Sequence, residues 1–81
     1  MFTVYVIRST VNGMYYVGFT DDIDRRMMEH NEGMSKFTRR GRPWTLMFTE
    51  QFETRREAMM REREIKKRKS RTYLERLIRG E

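Results

Sequence analysis

Cysteine is absent from the 81 residues. That excludes a disulfide framework and any thiolate metal site, and it suits a reducing compartment. Proline, tryptophan and histidine each occur once, as Pro43, Trp44 and His30. No stretch approaches the ~18 consecutive apolar residues of a membrane span. Met1-Phe2-Thr3-Val4 places no positive charge ahead of its short apolar run, so neither a signal peptide nor a membrane anchor is expected. The expected location is the cytoplasm. No internal repeat, linker or low-complexity tract divides the chain. Its length fits one domain over 1–81, with a modest core and little stability to spare.

What the chain has in excess is positive charge: 18 Lys and Arg against 12 Asp and Glu, a net charge of +6. A small basic domain is drawn to polyanions, of which nucleic acid is the commonest. Arginine dominates the positive set, which favours phosphate recognition. A solvated basic surface has the same composition, so charge leaves that choice open. The eight methionines, paired at Met27-Met28 and Met59-Met60, read as adaptable core filler.

The first two elements read as a β-hairpin. Phe2 to Ile7 is a nearly continuous apolar run, Asn12-Gly13 is a turn signal, and Met14 to Thr20 is the returning strand. A four-residue loop from Thr10 to Gly13 sets Tyr5 opposite Gly18, with Tyr16 as its diagonal neighbour on the same face. Gly18 then leaves space beside Tyr5. Asp21, Asp22 and Asp24 crowd the start of a helix over about Asp22 to Asn31, where carboxylates cap free N–H groups and oppose the helix dipole. Its stripe carries Ile23, Arg26, Met27 and His30 at i, i+3, i+4 and i+7. Arg26 and His30 therefore share a face with two sheet-directed apolar residues. The plainer reading is a snorkelling arginine and a histidine at a helix end.

Residues 31–43 form a loop bearing Lys36, Arg39, Arg40 and Arg42, with Ser35 and Thr38 among them, a surface suited to phosphate contact or simply to water. Trp44 to Phe52 is a third strand, with alternation in Leu46, Phe48 and Phe52. Thr54-Arg55-Arg56-Glu57 is a capping box opening a helix to about Lys69. On its stripe Glu62 lies between Ala58 and Ile65, so a carboxylate faces inward, which is costly unless a cation or a metal accompanies it. An arginine partner is the plainer reading. The run Lys66-Lys67-Arg68-Lys69 is either a set of helix-dipole partners or a phosphate patch. Ser70 caps a last helix, Arg71 to Arg79, ended by Gly80. The expected fold is small and α/β in the α+β sense: a three-stranded antiparallel sheet with packed helices.

Two tyrosines on a hairpin, Arg and His one turn apart, and an inward Glu together resemble the GIY-YIG nuclease family. Thr3-Val4-Tyr5 and Tyr16-Val17-Gly18 look like the two halves of its name motif, with Thr3, Val4 and Val17 standing where the name has Gly, Ile and Ile. Gly18-Phe19-Thr20, Asp24-Arg25-Arg26-Met27 and His30-Asn31 look like its next block. Arg39-Gly41-Arg42-Pro43, Glu57-Ala58 and Arg61-Glu62 to Ile65-Lys66 resemble the small stand-alone bacterial branch. That branch is similar to the nicking domain of the excinuclease C subunit and to the structure-specific Slx-type nucleases. The chain has no counterpart to the asparagine that several catalytic members carry after the Glu helix.

The resemblance implies a metal-dependent DNA endonuclease with a role in DNA repair or processing, acting on duplex or branched DNA and directed by a targeting protein partner. It implies Glu62 as the sole protein ligand to Mg²⁺ or Mn²⁺, Arg26 as stabiliser of charge on the scissile phosphate, Tyr5 and Tyr16 as the groups that activate or hold the water, and His30 as their assistant. An unperturbed tyrosine, with pKa near ~10, needs help to act as a base at neutral pH. The alternative is a catalytically inactive basic nucleic-acid-binding module of the same fold. A carboxylate facing DNA would repel phosphate in a pure binder, which favours the enzyme.

Overall fold

The computed structural model of the protein describes residues 1–68 and 70–81. Six elements follow one another: β1 (Phe2–Ser9), β2 (Tyr15–Thr20), α1 (Ile23–Asn31), β3 (Trp44–Phe52), α2 (Arg55–Lys67) and α3 (Arg71–Ile78), with a single 3-10 turn at Arg39–Gly41 before β3. The strands form one antiparallel sheet in the order β2-β1-β3. This is the α+β arrangement expected, three strands with three helices.

The hairpin closes where the Asn-Gly signal puts it. Ser9 N donates to Met14 O at 2.8 Å, Gly13 N donates to Ser9 O at 3.0 Å, and Gly13 takes φ 74°, a conformation glycine adopts at no steric cost. The register pairs Tyr5 with Gly18 and Ile7 with Tyr16. β1 runs two residues further than its apolar stretch because Ser9 is buried. Its hydroxyl donates to Gly41 O at 2.6 Å and accepts from the Val11 and Asn12 amides.

Each helix starts at a side-chain cap. Asp22 accepts from Arg25 N, Thr54 and Glu57 complete a reciprocal capping box, and Ser70 accepts from Tyr73 N. α2 ends at Lys67; the expected end near Lys69, and that residue's part in the basic run, lie outside the described residues.

Alternation along β1 gives the sheet two unlike faces. Val4 and Val6, with Val17 of β2, pack against Ala58 and Ile65 of α2 and Leu74 of α3 in the apolar core. Thr3, Tyr5, Ile7 and Ser9 point the other way, toward α1 and the loop after it. One expectation needs correction. Leu46 is 40% exposed and does not share the face of Phe48. Val6 pairs with Phe48 but Ile7 pairs with Leu46, so Met47 is an extra residue, a bulge that reverses the side-chain alternation.

Candidate active site

The polar face of the sheet gathers most of the chemistry-bearing residues. The Tyr5 ring crosses the backbone of Gly18, where any Cβ would lie 2.6 Å from the phenolic oxygen. Glycine is required there by close approach rather than by φ. The hydroxyl ends 2.9 Å from His30 Nε2. His30 Nδ1 lies 2.6 Å from Thr38 Oγ1. Tyr5, His30 and Thr38 are at most 1% exposed, so this is an unbroken buried chain from the central strand through the last turn of α1 to the loop.

Tyr16 is half-buried, and its ring stands edge-on to His30, with centroids 5.4 Å apart. It also faces Trp44 at 6.5 Å. The Trp44 indole donates to Thr38 O at 2.7 Å, and the Asn31 side chain brackets the Trp44 backbone, accepting from its N–H at 2.6 Å. The loop is thereby tied to α1 and β3 on both sides of Thr38.

Thr38 corrects the expectation that it offers its hydroxyl to phosphate. It is fully buried, and its side chain is engaged with His30. Lys36, Arg39, Arg40 and Arg42 are exposed on the same loop. Among the described residues none of these four pairs with a carboxylate.

Burial sets the protonation of the central pair. It pushes the Tyr5 phenol up to about 12, against the Arg26 guanidinium beside it, which lowers it; the negative charge of Glu62 adds a smaller upward push. Burial, reinforced by the positive charge of Arg26, pulls His30 down to about 4. Both groups are therefore neutral near pH 7. Arg26 is about a quarter exposed and donates to Glu29 Oε1 at 2.9 Å. Burial opposes its charge, but Glu29 and Tyr5 outweigh burial and hold it above its ordinary value. It borders a cleft of about 450 Å³ whose walls also carry Arg25, Arg55, Asp21 and Glu29. A roomier cavity, about 560 Å³, lies at the hairpin turn beside Arg8 and Thr10, away from these groups.

Glu62 sits on α2, which packs on the other face of the sheet. Its side chain is 16% exposed, and its cation is Lys66, at 3.4 Å, rather than an arginine. Lys66 is itself half-exposed and free to yield. Among the described residues no cluster of three or more His, Cys, Asp or Glu stands where it could hold a metal. A divalent cation at Glu62 would have that single carboxylate as its protein ligand, with water and phosphate oxygens completing its shell, a common situation for Mg²⁺. The donor set does not fit a caged structural ion.

Sequence reasoning passed over Glu29 here and gave Thr38 the wrong partner. Glu29, the partner of Arg26, was legible as an i, i+3 pair. The role of Thr38 was not, because nothing in the seven intervening residues states that a loop folds back onto a helix.

Residues 1–74 match a family described as the GIY-YIG catalytic domain. A UPF0213 protein of Halobacterium salinarum is 49% identical over 67 residues, spanning 82% of this chain and 86% of the relative. The UPF0213 protein YazA of Bacillus subtilis is 40% identical over 75 residues, spanning 88% and 75%. The solution NMR structure of a UPF0213 protein from Bacillus halodurans superposes with a TM-score of 0.61 at 36% identity, covering all of this chain and 86% of that one.

Proposed function

The chain belongs to the GIY-YIG catalytic-domain family, and on that premise we propose that it is a divalent-metal-dependent DNA endonuclease hydrolysing phosphodiester bonds. We place it in the cytoplasm as a single domain over 1–81, in DNA repair or processing, directed to duplex or branched DNA by a protein partner. The observation that carries this reading is the buried Tyr5–His30–Thr38 chain with Arg26 beside the phenol.

In this reading we assign Tyr5 the part of a proton relay rather than of an ionised base. In the arrangement we assign, Nδ1–H of His30 donates to Thr38 Oγ1, and Nε2 accepts the Tyr5 proton. Water then gives a proton to the Tyr5 oxygen as the phenolic proton passes to Nε2. Tyr5 remains neutral throughout, and the positive charge forms on His30 while negative charge builds on the phosphate. Arg26, released from Glu29, binds the phosphate and offsets that charge with its planar donors. Tyr16, edge-on to His30, holds the water in line. Glu62 would hold the divalent cation, which when bound supplies Lewis-acid stabilisation of the phosphate.

The test is cleavage of labelled duplex, single-stranded and branched DNA with Mg²⁺ or Mn²⁺ against chelator. We expect metal-dependent cleavage, reduced at least about a hundredfold in Glu62→Ala and Arg26→Ala. Full turnover in Tyr5→Phe would sink the relay. One observation favours a second reading: a phenol pushed to about 12 also suits an inactive binding module. DNA binding without cleavage under any metal would select it.

A further inference from the structure

Phe37 is 88% exposed, the most exposed of the large apolar side chains; the next, Val11, is at 67%. A phenylalanine left in water is not required by the packing of this loop. Its neighbours two before and one after, Ser35 and Thr38, are buried. The backbone between them is closed by Thr38 N and Arg39 N donating to Ser35 O at 3.3 and 3.0 Å. Thr38 is held from both ends, by His30 through its hydroxyl and by Trp44 through its carbonyl. Phe37 is therefore displayed on a fixed turn, one residue from the buried chain that ends at Tyr5.

The surroundings state what the ring meets. Lys36, Arg39, Arg40 and Arg42 are all exposed on the same loop, and among the described residues none has a carboxylate partner. An apolar protein surface closing over Phe37 would bury these cations without compensation. A nucleic-acid strand offers phosphates to the cations and the flat face of a base to the ring, the pairing that single-strand sites use.

We propose that Phe37 is a base-stacking residue, and that this loop takes DNA with an unpaired or unstacked base next to the scissile phosphate. This rests on the nuclease reading for the identity of the polymer, and it narrows the substrate to DNA whose pairing is interrupted: a branch, a gap or a single-stranded end. A continuous duplex presents no free base face to the ring.

The experiment places 2-aminopurine at the unpaired position of a branched DNA and, separately, inside a continuous duplex, with chelator present so that nothing is cut. Wild type, Phe37→Ala and Phe37→Trp are compared by fluorescence and by affinity. Wild type is expected to quench the unpaired probe. Phe37→Ala is expected to lose the quenching and to bind branched DNA about tenfold more weakly, with duplex binding changed less than about twofold, and Phe37→Trp to restore both. Quenching retained in Phe37→Ala overturns the proposal, as does an equal loss on both DNAs. So does a wild type that self-associates without DNA and becomes monomeric in Phe37→Ala, which would make the ring a contact between copies. The readout is independent of turnover. Absent cleavage with Phe37-dependent quenching would sink the nuclease reading alone, and intact cleavage with unchanged quenching would sink the stacking alone.

Discussion

Tyr5 and His30 settle each other's charge. Both are buried, both are neutral at pH 7, and each is the other's hydrogen-bond partner. The consequence is acid sensitivity. His30 is pulled from 6.5 to about 4 in the fold, so the unfolded chain binds its proton first. Between those two values stability rises with pH, and it falls as the solution is acidified through that window. The loss attributable to His30 is on the order of 3 kcal/mol at most, each pH unit being worth about 1.4. Denaturant midpoints measured at pH 7 and pH 4.5 should differ in wild type, and the difference should shrink in His30→Phe. An unchanged difference would mean that other groups carry the acid transition.

At the scale of elements, the inward stripe of α2 holds the core together while it positions Glu62. Ile65 is fully buried among Val4, Val6, Val17 and Leu74, so Ile65→Ala should cost about 2–5 kcal/mol. Thr54→Ala, which removes one half of the capping box, should cost about 1 kcal/mol. Urea midpoints would check both, and a smaller cost for Ile65 than for Thr54 would contradict the packing described. The elements were legible because their signals are local. Asn12-Gly13 set the hairpin register, and Asp22, Thr54 and Ser70 marked three helix starts. The inward position of Glu62 followed from helical spacing alone. What escaped was non-local. The bulge at Met47 depends on how β3 meets β1, and it turned Leu46 outward against its alternation. Thr38 looked like a surface hydroxyl and Ser9 drew no reading, because their partners, His30 and Gly41, are 8 and 32 residues away. The sequence reading passed over Phe37, whose 88% exposure only the folded loop shows.

For the whole molecule, the net charge of +6 sets how it meets a polyanion. Binding measured in chelator should weaken with salt, the logarithm of affinity falling by roughly 0.9 per decade of salt for each phosphate neutralised on duplex DNA. With Lys36, Arg39, Arg40 and Arg42 engaged, these four alone should contribute a slope of about −3 to −4. Arg39→Ala with Arg40→Ala should flatten the total by about 2. A slope unmoved by that double substitution would take the loop off the interface. No helix among the described residues is long and apolar enough to cross a membrane.

Strand β1 lies in the middle of the sheet, and its successive residues serve opposite faces: Val4 and Val6 the apolar core, Tyr5 the buried polar chain. Damage along it therefore falls into two kinds that alternate with a period of two. Loss at Val4 or Val6 opens the apolar core, whereas Tyr5→Phe breaks the hydrogen bond to His30 and, on the proposed reading, the proton relay. A single inserted residue would exchange the two sets, placing valines toward His30 and the tyrosine toward α2. The strand is consequently intolerant of length change, and it accommodates substitution far better than insertion.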